Sequence, residues 1–156
     1  MAFRIHVEGQ EPFDIPPECT KKVKFTTDIP LDSNARTKDV GATIIIEGKI
    51  LAATDGDPDD STRKMGLWSL VPAERADSYR KVTIELTAAG VIERKYTFPN
   101  AFVVDYKEYY GDVSGNGTFV LKIKQKKDKF ANIAVEGGYP ASNKRCILKG
   151  TPFFIK

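Results

Sequence analysis

Tyr96-Thr-Phe-Pro-Asn-Ala-Phe-Val-Val-Asp-Tyr-Lys-Glu-Tyr-Tyr110, then Gly111-Asp-Val-Ser-Gly-Asn-Gly117, then Thr118-Phe-Val-Leu-Lys-Ile-Lys-Gln-Lys-Lys127 is the stretch around which the chain is organised. Two alternating runs flank a glycine-rich reversal, which predicts a β-hairpin. Side chains alternate across a strand, so each run has an apolar and a largely polar face. Strict alternation puts Phe102, Val104 and Tyr106 on one side, with Val103, Asp105, Lys107 and Tyr109 on the other. In the second run Phe119, Leu121 and Ile123 share a face opposite Val120, Lys122, Lys124 and Lys126. No catalytic group stands out on this hairpin.

The same alternation recurs along the rest of the chain. Phe3, Ile5 and Val7 alternate with Arg4, His6 and Glu8. Phe13-Asp-Ile15 is a short extended piece before two prolines, and Lys21–Thr27 places Val23 and Phe25 inward with Lys22, Lys24 and Thr26 outward. Ile44 and Ile46 face in from the run after Ala42, Ile45 faces out, and Val82, Ile84 and Leu86 face in from the run Tyr79–Thr87. Ala88-Ala-Gly90 turns the chain, and Val91–Tyr96 pairs back. Tyr139-Pro-Ala-Ser-Asn reads as a turn, and Cys146–Ile155 as a closing edge strand. Between these lie a polar, aperiodic extended loop over residues 28–41 and one short α-helix over about 61–71, with Met65, Trp68, Leu67 and Val71 as its apolar stripe and Pro72 as its stop. The acidic run Asp55-Gly-Asp-Pro-Asp-Asp60 fails the spacing of a calcium loop and reads as carboxylates capping the helix N-terminus. Short, turn-punctuated strands with one helix predict a mainly β, single-domain antiparallel barrel or sandwich over residues 1–156.

Composition bounds the function. The chain has 156 residues, 41% hydrophobic and 29% charged, and a net charge of +3, which alone does not imply a nucleic-acid partner. No apolar run approaches the about 18 residues that span a membrane, so membrane insertion is not expected, and the N-terminus lacks a secretory apolar block, so synthesis in the cytoplasm is expected. The two cysteines, Cys19 and Cys146, fit neither a disulfide framework nor a zinc spacing and read as buried thiols. Asn116-Gly-Thr118 has the form of a glycosylation sequon and reads as turn chemistry. The one histidine, His6, has no partner ligands nearby in sequence. Neither a nucleophile elbow nor a phosphate-cradling glycine loop is present. The carboxylates Glu85, Glu93, Asp105 and Glu108 read as solvated outward charges, and Trp68 as a core anchor. The expectation is therefore a non-enzymatic protein with no catalytic, cofactor-binding or metal-binding residues and no cofactor. Lys122, Lys124 and Lys126, with Tyr106, Tyr109 and Tyr110 nearby, offer the alternative of a small β-barrel module binding single-stranded nucleic acid or another polymer; a solubilising outer face is the blander account and the one preferred.

The order of elements resembles the tail-tube superfamily, which includes phage tail tubes and the haemolysin-coregulated tube protein of type VI secretion systems. The resemblance runs from about Val23 to Gly138 and is carried by Ala42-Thr-Ile-Ile-Ile-Glu-Gly-Lys-Ile50, the short helix, Lys81-Val-Thr-Ile-Glu85, and Glu93-Arg-Lys-Tyr-Thr-Phe-Pro-Asn-Ala-Phe-Val-Val-Asp-Tyr106. The histidine- and tryptophan-rich tail of many secretion-system members is missing, and the chain ends Gly150-Thr-Pro-Phe-Phe-Ile-Lys156. The resemblance implies a structural subunit forming rings, usually hexamers, that stack into the hollow inner tube of a contractile injection particle, phage-like tail or type VI secretion system. Its partners would be itself, with sheath, spike or baseplate and effector proteins, and nucleic acid only as cargo in a lumen. Such a protein is ejected or becomes part of a virion-like particle. The long loop matches in position the arm that reaches a neighbouring subunit, so Asp28, Ile29, Leu31, Asp32, Asn34, Arg36, Lys38 and Asp39 are candidate subunit contacts, and Lys122, Lys124 and Lys126 a candidate lumen or solvent face.

Overall fold

The computed structural model describes residues 1–28, 41–51, 60–112, 115, 117–126, 129 and 132–140. The elements run β1 (Ala2–Glu8), β2 (Phe13–Ile15), β3 (Thr20–Asp28), β4 (Gly41–Ile50), α1 (Ser61–Ser69), a 3-10 turn (Ala76–Ser78), β5 (Arg80–Ala88), β6 (Val91–Tyr109), β7 (Gly117–Gln125), β8 (Ala134–Glu136) and β9 (Tyr139–Pro140). All strand pairs are antiparallel, in the order β2-β1-β5-β6-β7-β4-β3, with β8 and β9 also on β6.

Strand β6 belongs to both halves of this sheet. Its first part pairs with β5 and its last part with β7, and the change of partner falls around Pro99 and Asn100. Between Phe98 and Ala101 the register with β5 slips. Pro99 has no N–H to give to a ladder, so a slip is where a mid-strand proline is tolerated. The Asn100 N–H donates instead to Gln125 Oε1 at 3.1 Å, and the Asn100 carbonyl accepts from Lys126 N–H at 3.0 Å. The sheet thus bends over itself: Phe25 of β3 stacks on Tyr96 of β6, ring centroids 4.7 Å apart, and meets Phe98 edge-on at 6.2 Å. The end strands β2 and β3 do not pair, so the sheet stays open and the result is a sandwich rather than a closed barrel.

The core lies between the halves and follows the predicted alternation. Ile5, Val7, Ile44, Ile46, Val82, Ile84, Phe98, Phe119, Leu121 and Ile123 are all buried, as are Met65 and Trp68 of the helix. The Trp68 indole N–H donates to the Ser78 carbonyl at 3.0 Å, which satisfies its polar edge inside the core. Leu67, assigned to the helix stripe, is 47% exposed, because two residues from Met65 is the wrong side of a 3.6-residue turn. Asp60 occupies the N-cap position, yet its side chain makes no capping bond there; it accepts from Arg63 Nε at 2.9 Å, the residue sitting at φ 52°. Ala89 and Gly90, at φ 52° and 77°, form the predicted β5–β6 reversal. Tyr139-Pro140, read as a turn, instead forms a short pair with Ile92 and Val91. Cys19 is buried as a thiol, while Cys146, the closing edge strand, the acidic run before Asp60 and the loop between Asp28 and Gly41 lie outside the described residues.

Candidate functional site

The registers assemble one surface that no single strand discloses. On the outer side of the β3-β4-β7-β6 half, cross-strand rows run Lys24–Ile45–Lys122–Asp105 and Lys22–Glu47–Val120–Lys107, and a third joins Lys49, Thr118 and Tyr109. A further row, Thr26–Thr43–Lys124–Phe102, borders them; Thr43 there is buried. Lys122 and Lys124 sit in β7 on this face, as their parity predicted, each half-buried. Lys126 lies just past the strand, its ammonium 4.8 Å from the Tyr79 ring centroid, so the stripe does not continue through it. Lys22, Lys24, Lys49 and Lys107 are exposed. Sequence alternation had put Lys22 and Lys24 outward but could not join them to Lys122, because that needs the register.

A bulge between Val103 and Asp105 corrects the alternation predicted for β6. Val103 pairs with Ile123 and packs on the core, while Phe102 pairs with Lys124 on the outer face, against Tyr79 edge-on at 5.9 Å. Val104 is the extra residue and is 45% exposed. After it, Tyr106 is inward and Asp105, Lys107 and Tyr109 are outward.

Tyr106 and Tyr110 do not belong to the lysine rows, although Tyr110 is 70% exposed. Tyr106 is half-buried against the core, its hydroxyl within bonding distance of the Thr62 carbonyl (3.2 Å) and Glu108 Oε1 (3.0 Å). Tyr110 donates to the other Glu108 oxygen. Burial first, then the bond to Glu108, pushes the Tyr106 phenol far above its ordinary value. For Tyr110 the bond to Glu108 comes first in the same direction. Glu108 is exposed, as expected of it, and joins the tyrosines two residues to either side of it; the contact with α1 is made by the Tyr106 hydroxyl at the Thr62 carbonyl. Of these three tyrosines only Tyr109 presents its ring outward beside the lysines.

Two other places gather polar groups. A cleft of about 470 Å3 is lined by Arg4, His6, Asp14, Thr83 and Glu85 with Pro16 and Pro17. His6 Nδ1 pairs with Asp14 Oδ1 across β1 and β2. Glu85, read as a solvated charge, is 6% exposed, with Lys95 Nζ at 3.9 Å across β5 and β6. No group of His, Cys, Asp and Glu among the described residues is arranged to hold a metal ion. The second place is Arg80, buried beside Trp68. Its Nη2 donates to Asp77 Oδ2 at 2.7 Å, its Nε to the Asp77 carbonyl at 3.1 Å, and its guanidinium lies 5.3 Å from the indole centroid. Burial works to raise the Asp77 carboxyl. The bonds from Arg80 and Gln10 N–H and the charges of Arg80 and Arg75 outweigh it and hold Asp77 below the ordinary carboxylate value.

The candidate contact residues Ile29, Leu31, Asp32, Asn34, Arg36, Lys38 and Asp39 lie outside the described residues; Asp28 ends β3, paired with Gly41. The described helix is too short and polar to cross a membrane.

No protein-family model matches the sequence, and no curated protein matches it. Solved structures do. Hcp1 from Flavobacterium johnsoniae superposes with a TM-score of 0.57 at 17% identity, covering 88% of this chain and 97% of that one. The Hcp1 protein from the E. coli EAEC 042 pathovar gives 0.56 at 12% identity, covering 88% and 99%. A chain of the anti-feeding prophage baseplate, a six-fold symmetrised structure, gives 0.53 at 15% identity, covering 87% and 93%. With an open antiparallel sandwich, the long strand β6 shared between its halves and the helix α1 among the described residues, the chain has the Hcp-like tail-tube fold.

Proposed function

We propose that this chain is a non-catalytic structural subunit that associates with copies of itself into rings, six to a ring, which stack into the inner tube of a contractile injection particle, phage-like tail or type VI secretion system. The observation that carries this reading is the extent of the likeness: nearly the whole of the chain superposes on nearly the whole of the Hcp1 chains. A domain of this kind acts through its surfaces. A head-to-tail interface closes into a ring when the rotation between subunits permits, and stacking then extends it. The arm from Asp28 to Gly41, with Ile29, Leu31, Asp32, Asn34, Arg36, Lys38 and Asp39, reaches the adjoining subunit. Leu70 at 77% exposure and Leu67 on the helix, with Val104 on the bulge, are apolar groups that contacts between copies would cover. Sheath, spike or baseplate and effector proteins are the further partners, and the protein works as part of an assembled particle. Size-exclusion chromatography with light scattering, followed by negative-stain microscopy, tests the proposal. Rings are expected at high concentration; a monomer at every concentration, with no rings in the micrographs, refutes it.

A further inference from the structure

We infer that the outer face of the β3-β4-β7-β6 half binds single-stranded nucleic acid. Six lysines, Lys22, Lys24, Lys49, Lys107, Lys122 and Lys124, hold outward positions on this face together with three acidic residues, Glu47, Asp105 and, at the end of β3, Asp28. The excess on this one face equals the net charge of +3 on the whole chain, so the rest of the sequence sums to neutral and the positive charge is concentrated here. Asp105 is already engaged by Lys107 at 3.4 Å. Lys22, Lys24, Lys49 and Lys122 form no ion pair among the described residues.

The arrangement favours a nucleic-acid strand over an acidic polypeptide. Ile45, Val120 and Thr118, with Glu47 among them, form a shallow floor across β4 and β7; Lys22 and Lys24 of β3 stand on one side of it, Lys107 beside Asp105 of β6 on the other, and Lys49 and Lys122 rise within it. Neighbouring strands lie about 4.8 Å apart, so β3 and β6 are roughly 14 Å apart, wide enough for one strand but not a duplex cradle. The outward ring of Tyr109, 55% exposed, stands at the end of the floor, two residues along β6 from Lys107 and across Thr118 from Lys49. Lysines along a backbone track with an aromatic ring for a base to stack on is the chemistry that holds single strands without reading sequence. A polyglutamate chain has no aromatic or apolar group to set against the floor or the ring. This inference stands apart from the tube reading and does not need it.

The test is fluorescence anisotropy of a labelled oligothymidylate of about 20 nucleotides with the full chain, from about 50 to about 200 mM salt. Binding is expected, with a log–log salt slope of about −3, the value for four or five phosphate contacts on a single strand. The Lys24→Gln/Lys122→Gln variant should weaken binding about tenfold and reduce the slope by about 1.4, while Lys24→Arg/Lys122→Arg retains it. Tyr109→Ala should weaken it about tenfold, the equivalent of a lost stacking contact, at unchanged salt slope. Lys22→Gln/Lys24→Gln, both exposed on the edge strand, repeats the test should the Lys122 change disturb folding, which thermal melting reveals. No binding at low salt overturns the inference. So does binding indifferent to these variants, or binding of polyglutamate that matches the oligonucleotide and ignores Tyr109→Ala. Light scattering on the same samples separates the two readings: rings that bind nothing overturn this one alone, and a monomer that binds as described supports it while refuting the tube.

Discussion

Replacing Asp77 by Asn isolates the charge that holds Arg80 in the core. Asn keeps the size and an acceptor oxygen for Gln10 N–H, but it removes the carboxylate facing a guanidinium that is 6% exposed. A hydrogen bond to a charged group contributes about 1.5–3 kcal/mol, and stranding one member of a buried pair about 3–5 kcal/mol. Asp77 retains 15% exposure and Arg80 keeps its bond to the Asp77 carbonyl, so the lower part of these ranges applies, about 2–3 kcal/mol. At about 2–4 °C per kcal/mol for a chain of this size, the melting temperature should fall by roughly 5–10 °C at pH 7. The pH dependence gives an independent check. The folded carboxyl titrates below the ordinary 3.8, so its contribution is present above pH 3.8 and is lost as pH falls through the lower folded value. The difference between wild type and variant should therefore be full at pH 5–7 and shrink below about pH 4. Urea denaturation at several pH values measures it. A loss under about 0.5 kcal/mol at pH 7, or a difference that does not shrink in acid, refutes the claim that ionised Asp77 supports Arg80.

Gly48→Ala should destabilise by about 3 kcal/mol or more, because a Cβ there would lie 1.9 Å from the Cys19 carbonyl oxygen and 2.8 Å from the Phe119 ring, forcing apart the 2.7 Å bond from Lys49 N–H; a melting temperature within a degree of wild type would contradict it. Tyr106→Phe should lose about 1 kcal/mol at pH 7. The folded phenol titrates above the ordinary 10.0, so its contribution is intact below pH 10 and is lost as pH rises beyond it, and the variant's deficit should shrink at pH 11 in urea titrations. Deleting residues 29–38 should leave the circular dichroism and melting of the sandwich intact while abolishing rings by light scattering; intact rings would remove the arm from the assembly.

The core and the helix were legible because burial imposes a period. Ile44 and Ile46, Val82 and Ile84, and Leu121 and Ile123 alternate strictly, and Met65 and Trp68 lie one helical turn apart. What escaped was set by pairing between distant segments. Glu85 looks like any outward carboxylate in its own run; only the placement of β1 and β6 beside β5 makes it buried. Arg80 and Asp77 carry no local sign that their bond lies against Trp68. The choice between barrel and sandwich depended on whether β2 meets β3, and a chain with four residues between those strands gives no periodicity that decides it.

The single extra residue at Val104 shows why the basic face in particular was invisible. Phe102 and Tyr106 are two full alternations apart, and a regular strand would place both on one side together with Val104. That arrangement would send Val103 outward, away from Ile123. The bulge absorbs one residue and lets Val103 and Tyr106 both reach the core. It also keeps Phe102 on the same outer face as Asp105, Lys107 and Tyr109. The exposure of Val104 is then the consequence of satisfying both segments at once. Because the lysines of β3, β4 and β7 acquire their neighbours on β6 only through this shift, the charged surface is a property of the register of four strands, and a change at the bulge would rearrange it without altering a single lysine.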